Sequence, residues 1–186
     1  FWLAGRPGTC ATTAEVLHPY DGRVVGAYAV PTDEQVEQAV AAAWAVRETA
    51  AALPASTRAE ALAHVSRRLT ERHEEIAALI TSENGKPLMW ARAEAARAAS
   101  TFRWASEEAR RWNGDLQRLD TDPATPGRMA IVRRFPDGPV LGIAPFNFPL
   151  NLVAHKVAPA LAVGAPIILK PAPATPLSAL LLGEIL

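Results

Sequence analysis

Two polar residues in the last third of the chain have the types and the neighbours that catalysis or ligand binding requires. Asn147 lies in the proline-bounded segment 145–149, and Lys170 begins the proline-rich segment 170–176. An asparagine amide that points at a carbonyl oxygen stabilises the negative charge of a tetrahedral intermediate, which is worth about 2.7–4 kcal/mol in the barrier. A lysine offers a positive point charge to a hydroxyl or a phosphate. On spacing alone, a turn residue and a solvated strand end remain the commoner explanations of the two residues.

A second polar pair follows this asparagine, on a predicted helix. His155 lies one helical turn after Asn151, so both side chains are able to face one channel. The alternative is that both are polar residues on an exposed helix face. The single cysteine, Cys10, is not assigned a catalytic role. Neither a metal-ligand spacing nor the Gly-rich patterns of a dinucleotide turn or a P-loop occurs, so no metal is expected.

These residues are positioned by a predicted strand–helix–strand–helix unit. Val140–Ala144 is predicted as a strand, and the following helix has Pro149 in its first turn and ends at Gly164. Ala165–Leu169 is predicted as a strand buried on both faces, and Pro176 begins the next helix. Such a unit is nearly always a right-handed crossover between parallel strands. Because ligands bind beyond the carboxyl ends of parallel strands, both loops are expected at one edge of the sheet.

The upstream chain is predicted to open with a hairpin in residues 16–30 and to continue as helix. Thr32 and Gln35 have the spacing of a capping box at the start of the first helix. The apolar stripe predicted for this helix consists of Val36, Ala39, Val40 and Ala43.

Two further helices and a strand are predicted before residue 140. Ser56 is expected to cap a long second helix that reaches Asn84, and a third helix covers Ala91–Trp112. The three helices are expected to pack together. A polar linker at residues 120–127 precedes a strand predicted at Met129–Phe135.

Composition excludes several classes of function. Apolar residues make up 49% of the chain and charged residues 20%, which is typical of a globular protein. The 19 basic and 19 acidic residues cancel, so neither nucleic acid nor an anionic membrane is an expected partner. No apolar run reaches the roughly 20 residues that span a bilayer. The single cysteine fits a reducing compartment, and the cytoplasm is the expected location. Both ends look cut, since the chain starts at Phe1 and stops at Leu186 inside an apolar run.

Several segments resemble the aldehyde dehydrogenase superfamily, and together they cover essentially the whole chain. The downstream matches are Gly142-Ile143-Ala144-Pro145-Phe146-Asn147-Phe148-Pro149, Lys156, Pro159-Ala160-Leu161, Gly164 and Lys170-Pro171-Ala172. The upstream matches are His18-Pro19-Tyr20-Asp21-Gly22, the helix from Thr32, Glu83-Asn84-Gly85-Lys86-Pro87 and Thr101-Phe102-Arg103.

The resemblance implies an α/β fold that is the amino-terminal part of the aldehyde dehydrogenase fold. Helices would pack on a partial parallel Rossmann-like sheet, with an added oligomerisation strand. Residues 1–128 would be the hairpin and the helical part of the cofactor-binding domain, and residues 129–139 the oligomerisation segment. Residues 140–186 would be the incomplete start of the NAD(P)-binding α/β unit.

The resemblance also implies NAD- or NADP-dependent oxidation of an aldehyde to an acid through a thiohemiacetal and a thioester. Asn147 matches the asparagine that stabilises the oxyanion, and Lys156 matches a lysine near the catalytic centre. Lys170 matches the lysine that contacts the adenosine ribose. The residues that match the lining of the cofactor cleft are Ile143, Ala144, Pro145 and Phe146.

Pro173 departs from the family pattern, and it leaves the cofactor preference open. The family often carries at this position a glutamate that binds the ribose hydroxyls. A carboxylate there would repel a 2′-phosphate, so both NAD and NADP remain possible. Asn151 and His155 fall where the family's aldehyde channel begins, and their polarity suggests a small hydroxylated or phosphorylated aldehyde. The lactaldehyde and phosphonoacetaldehyde branch is the most similar.

The resemblance places the nucleophilic cysteine and the general-base glutamate farther along a family chain than Leu186. These residues alone are therefore expected to be inactive, and the aldehyde would be the partner of a full-length homo-oligomer, a dimer or a tetramer. The alternative is a catalytically incompetent truncated chain that acts as a nucleotide-binding or oligomerisation module.

Overall fold

The computed structural model describes residues 1–186 and places eight strands and seven helices along the chain. The strands are β1 (Trp2–Leu3), β2 (Arg6–Pro7), β3 (Thr13–Leu17), β4 (Val24–Ala29), β5 (Asp115–Arg118), β6 (Met129–Val132), β7 (Val140–Ile143) and β8 (Ile167–Lys170). The helices are α1 (Asp33–Ala45), α2 (Arg47–Ala52), α3 (Ala55–Glu71), α4 (His73–Asn84), α5 (Leu88–Arg111), α6 (Asn151–Val163) and α7 (Leu177–Ile185). None of these helices combines the length and the apolar character that a membrane crossing requires.

The predicted hairpin and the predicted cap of the first helix are both confirmed. β3 and β4 pair antiparallel, with one irregularity between Val16 and Leu17. At the start of α1, the Gln35 N–H donates to Thr32 Oγ1 at 3.3 Å, and the Thr32 N–H donates to Gln35 Oε1 at 2.9 Å. This reciprocal pair satisfies N–H groups near the helix start that have no partner within the helix.

The apolar stripe of α1 is less buried than predicted. Ala43 is buried, but Val36 and Val40 remain 46% and 48% exposed. The expected packing of this helix against the two later ones is wrong, because α1 lies mainly against β8 and the short α2. No pattern in the sequence predicted α2, whose six residues are too few to show a helical period. α1 therefore keeps an apolar row that the chain leaves in solvent.

The buried core lies between α3, α4, α5 and α6. α5 packs along α3 and also contacts α4 and α6. The largest fully buried apolar side chains are Phe102, Leu62, Leu69, Ile76, Ile80, Leu150 and Leu182. All except Leu182 belong to the helical stripes that the sequence predicted, so the period of 3.6 residues identified most of the faces that meet in the core.

The residues predicted as one long second helix form two helices, α3 and α4, which meet at Arg72. Ser56 lies inside α3, which begins at Ala55 without a side-chain cap, so the predicted cap is wrong. Arg72 ends α3 and begins α4 with φ −95° and ψ 18°. Because Leu69 and Ile76 keep a two-turn spacing across the break, the apolar pattern did not reveal it.

The last third of the chain is the predicted strand–helix–strand–helix unit. β7 and β8 are parallel, with Val140 opposite Ile167 and Ile143 opposite Lys170, and α6 connects them. Gly164 ends α6 with φ 82°, and a Cβ there would lie 2.8 Å from the carbonyl oxygen of Ala50. Only glycine fits this close approach of two backbone segments.

Two details of this unit differ from the prediction. β8 is half-buried instead of buried on both faces, although both α6 and α1 contact it. Leu141 and Ile143 of β7 are 64% and 60% exposed. Pro149 precedes Leu150, the residue that caps α6, and does not lie in the first helical turn.

The strand predicted at Met129–Phe135 is shorter than expected and has a partner that the sequence did not reveal. β6 ends at Val132 and pairs antiparallel with β5. The sequence of β5, Asp-Leu-Gln-Arg, lacks the apolar alternation that predicts a strand. Leu116 and Ile131, on the two strands of this hairpin, are 68% and 80% exposed.

The place of Phe102 at the centre of the core predicts a large effect of its truncation. Its side chain is fully buried, so Phe102→Ala leaves a cavity and is expected to lower the free energy of unfolding by about 3–5 kcal/mol. Met89→Ala on the same helix is the matched control, because Met89 is 64% exposed and its loss is expected to cost less than about 0.5 kcal/mol. Denaturant unfolding of the native polypeptide measures both. Equal costs for the two variants would contradict this assignment of the core.

Candidate active site

The two loops predicted to carry chemistry lie side by side at the carboxyl ends of β7 and β8. The Ala144 N–H donates to the carbonyl oxygen of Lys170 at 3.0 Å, which extends the strand pairing to the start of both loops. The Thr175 hydroxyl donates to the carbonyl oxygen of Phe146 at 3.4 Å. Segments 145–149 and 171–176 are therefore neighbours at one sheet edge, which is where parallel sheets bind ligands.

The turn around Asn147 is held through its backbone, and its side chain is exposed. Asn84 Nδ2 donates to the carbonyl oxygen of Phe146 at 2.8 Å, and Lys86 Nζ donates to that of Asn147 at 2.9 Å. The Lys86 ammonium also lies 3.9 Å from the centroid of the Phe148 ring. Because these contacts use carbonyl groups and a ring, the Asn147 amide is left free to donate to a ligand.

Glu94 of α5 holds the start of α6, directly after this turn. Its side chain is completely buried, and Oε1 accepts the N–H groups of Leu150 and Asn151 at 3.0 and 3.1 Å. Oε2 forms an ion pair with Lys86. The first N–H groups of a helix have no partner within it, and they carry partial positive charge. A buried carboxylate from another helix therefore both satisfies and fixes the start of α6.

Glu83 has the same role at the start of α7, after the second loop. It is 3% exposed, and its two oxygens accept the Leu177 N–H at 2.7 Å and the Ser178 N–H at 3.0 Å. The Ser178 hydroxyl donates to it as well. Burial raises the pKa of Glu83, although the bonds from Ser178 and Leu177 favour the charged form.

Glu83 and Lys86 were noted only as part of the family-like segment 83–87, and Glu94 was not predicted at all. A signal was nevertheless present, because both glutamates interrupt apolar stripes. Glu94 lies between Ala91 and Ala95 on the buried face of α5, and Glu83 follows Ile80 on that of α4. A carboxylate at a buried helix position requires a partner, and its presence indicates a structural or functional contact.

The residues predicted to bind the cofactor form an edge of mixed character. Ala144 is buried, Pro145 is exposed, and Ile143 and Phe146 are 60% and 61% exposed. Lys170 is exposed at the end of β8. This edge thus presents two large apolar side chains and one cation on neighbouring strands.

Two further predicted site residues are Pro173, in the loop after β8, and Lys156, on α6. Pro173 is exposed, and its carbonyl oxygen accepts the Tyr28 hydroxyl at 3.3 Å. Lys156 is half-buried on α6, and its Nζ donates to the carbonyl oxygen of Leu152 at 3.1 Å. A Cβ added to Gly142 would lie 3.3 Å from Lys156 Cδ, so the lysine stem packs against β7. The structure does not bring Lys156 into hydrogen bonding with Asn147.

The two residues predicted to line a substrate channel lie in different surroundings. His155 is exposed and lines a groove of about 380 Å³ between α5 and α6, together with Trp104 and Trp112. Asn151 is 1% exposed, and its Oδ1 has no hydrogen-bond partner. Asn151 does not line that groove, so the two side chains do not share one open space.

The chain has extensive similarity to known proteins. A family model described as "Aldehyde dehydrogenase family" matches residues 6–186. A 3-sulfolactaldehyde dehydrogenase from Priestia megaterium is 38% identical over 186 residues, which are 100% of this chain and 38% of that protein. The chain therefore spans well under half the length of this curated relative.

Two solved structures have the same fold over nearly the whole chain. Aldehyde dehydrogenase 21 from Physcomitrella patens, in complex with the reaction product succinate, has a TM-score of 0.96 and 44% identity. It covers 99% of this chain, which corresponds to 38% of that one. The NADP-dependent glyceraldehyde-3-phosphate dehydrogenase from Bacillus halodurans, complexed with NADP, has a TM-score of 0.92 and 32% identity. The match covers 98% of this chain and 39% of the chain of that dehydrogenase.

The raised pKa of Glu83 predicts how its contribution to stability depends on pH. A carboxyl whose pKa is higher in the folded state contributes stability that is fully present below its ordinary value of 4.5 and is lost as the pH rises through the raised value. Glu83→Gln abolishes this titration. The difference in unfolding free energy, original chain minus variant, is therefore expected to become smaller as the pH rises from 5 to 7.5.

Thermal unfolding of the native polypeptide at the two pH values measures this difference. Glu75→Gln is the control, because the bond from Arg72 lowers the pKa of the exposed Glu75. Its stabilisation is lost only as the pH falls below 4.5, so its difference should stay constant between pH 5 and pH 7.5. A constant or growing difference for Glu83→Gln would contradict the raised pKa.

Proposed function

The chain belongs to the aldehyde dehydrogenase family, and we propose that it is the amino-terminal part of an enzyme that oxidises an aldehyde to a carboxylic acid with NAD or NADP. The observation that carries this proposal is the turn of Asn147. Its backbone is bound by Lys86 and Asn84, while its amide is free at the carboxyl edge of a parallel strand pair.

In this function Asn147 is a catalytic residue. Its Nδ2–H group donates to the oxygen on which negative charge develops when a nucleophile attacks the aldehyde carbon. A donor that is already oriented does not have to reorganise during the reaction, which is why its backbone support matters. The attacking thiolate and the general base would come from residues outside this chain.

The residues at the strand ends fit a dinucleotide. Ile143 and Phe146 offer an apolar surface to a flat ring, and Lys170 offers a cation to ribose hydroxyls or phosphates. The cofactor would supply the hydride acceptor. Pro173 contributes no charge, which is compatible with both NAD and NADP. Ala144 and Pro145 would line the same cofactor cleft. Lys156, on α6, would contribute a positive charge near the site.

The substrate proposal rests on the polar residues of α6. His155 lies in the groove between α5 and α6, and the buried Asn151 has an unsatisfied carbonyl oxygen directly after the Asn147 turn. Their polarity favours a small hydroxylated or phosphorylated aldehyde, whose hydroxyl or phosphate the His155 ring could bind. The relative named for 3-sulfolactaldehyde is in keeping with this class.

We further propose that the enzyme is a cytoplasmic homo-oligomer, a dimer or a tetramer. The β5–β6 hairpin exposes Leu116 and Ile131, and the 129–139 segment continues to Phe135, which is 69% exposed. Solvent-exposed apolar side chains on a strand pair are typical of surfaces that another subunit covers. Residues 1–128 and 140–186 would belong to one cofactor-binding domain, in keeping with the single apolar cluster that runs from Ala59 to Leu182.

Asn147→Ala tests the proposed catalytic role. Removing one oxyanion donor is expected to lower kcat by roughly 10²–10³-fold, while the affinity for NAD(P) is unchanged. Steady-state kinetics and nucleotide titration of the native polypeptide measure the two effects. Asn113→Ala is the control, since Asn113 is exposed at the far end of α5.

An unchanged kcat in Asn147→Ala would refute the oxyanion role.

The intact mass of the native polypeptide is measured first, because it decides between a full-length enzyme and a truncated binding or oligomerisation module. A mass far above 19.9 kDa supports the full-length enzyme. A mass near 19.9 kDa, with nucleotide binding but no turnover, supports the truncated binding or oligomerisation module.

Pro173→Glu tests the proposed cofactor site. A carboxylate at this position would repel a 2′-phosphate, so the dissociation constant of NADP is expected to rise at least roughly tenfold relative to that of NAD. The Tyr28 bond uses the backbone carbonyl of Pro173, so the substitution leaves its acceptor in place. Fluorescence titration with both nucleotides gives the ratio. A parallel change for NAD and NADP would place residue 173 away from the 2′-position.

A further inference from the structure

Lys86, in the connection between α4 and α5, lies at the centre of the contacts that surround Asn147. Its side chain is 12% exposed, and its ammonium has three partners. They are the carboxylate of Glu94, the carbonyl oxygen of Asn147 at 2.9 Å and the face of the Phe148 ring at 3.9 Å. One cation therefore contacts a buried anion on one side and the exposed turn on the other.

Glu94 divides its two oxygens between the same turn and the same lysine. Oε1 accepts the N–H groups of Leu150 and Asn151, and Oε2 binds Lys86. The carbonyl before the helix and the first N–H groups of the helix are thus fixed by one ion pair. Residues 147–150 have both ends of their backbone held from α5 and the connection that precedes it.

Stability alone does not require the bond between Lys86 and the Asn147 carbonyl. Glu94 is completely buried and needs a counter-charge, so the ion pair has a structural explanation. The carbonyl of Asn147 belongs to an exposed residue, and water would satisfy it equally well. What the lysine adds is a fixed orientation of the peptide group after Asn147, and with it the direction of the asparagine side chain.

We infer that Lys86, itself oriented by Glu94, is a positioning residue that sets the direction of the Asn147 amide. The inference rests on the proposed function, in which that amide stabilises an oxyanion. Positioned donors tolerate displacements of only about 0.5 Å before catalysis suffers. A turn without this support is therefore expected to bind nucleotide normally and to turn over slowly.

The decisive comparison separates the ion pair from the carbonyl contact. Lys86→Met removes the cation and leaves Glu94 charged and without its counter-ion, so it is expected to lower stability as well as kcat. The double variant Lys86→Met, Glu94→Gln removes both charges and keeps a carbonyl oxygen for the Leu150 and Asn151 N–H groups. We expect the double variant to recover most of the stability.

The recovered stability is not expected to restore turnover. In the double variant, kcat should remain roughly 10- to 100-fold below the original, with the KM for NAD(P) unchanged. Arg92→Met is the matched control, because it breaks the exposed ion pair between Arg92 of α5 and Glu74 of α4, neither of which contacts the turn. Stability and kcat that return together in the double variant would show that Lys86 is a counter-ion only, and would overturn the inference.

Two further measurements distinguish failure of this inference from failure of the oxyanion proposal. If Lys86 acts through Asn147, the double variant should lose no further activity in an Asn147→Ala background, whereas independent effects would multiply. A crystal structure of the double variant should show the Asn147 amide displaced or in several conformers.

Each outcome of these measurements has one interpretation. An unmoved amide would overturn the positioning role whatever the kinetics. A displaced amide in a protein whose Asn147→Ala variant is fully active would support the positioning role and refute the oxyanion proposal.

Discussion

The free N–H groups at the starts of α6 and α7 impose the main constraint on this structure. Both helices begin at largely buried residues, and neither has a capping side chain of its own. Glu94 and Glu83 satisfy these groups from the neighbouring helices α5 and α4. A buried carboxylate is tolerated here because several N–H donors surround it, and it fixes the helices relative to each other.

This constraint determines the geometry of the candidate site. The loops that follow β7 and β8 lead directly into the two capped helices. The position of each loop is therefore fixed by the start of the helix that follows it. Asn147 and Thr175 each precede such a start by a few residues. The helical layer and the α/β unit therefore form a single site, although they are far apart in sequence and look like separate regions.

Much of the fold was predictable from the sequence, because periodicity and turn chemistry are local signals. The hairpin, the capping box of Thr32 and the parallel strand pair were all predicted correctly. The break at Arg72 was not, since the apolar spacing continues through it. Val36 and Val40 were predicted to be buried but are exposed. A periodic apolar pattern identifies the face of a helix that tends to be covered, but it does not show what covers that face. At the candidate site, the neighbours of Asn147 and Lys170 in the sequence singled out both residues as candidates, but Lys86 and its carboxylate partner depend on contacts across about 60 residues.

The two buried glutamates also limit how members of this family can be recombined. A chimera that joins the α4–α5 region of one protein to the strand–helix unit of another divides each carboxylate from the N–H groups it binds. Such a crossover would succeed only where the parent that supplies α4 and α5 has both glutamates and the lysine, and the other parent begins its two helices at matching positions. Crossovers within 120–127, a natural boundary in the linear sequence, would therefore be less neutral than that exposed linker suggests.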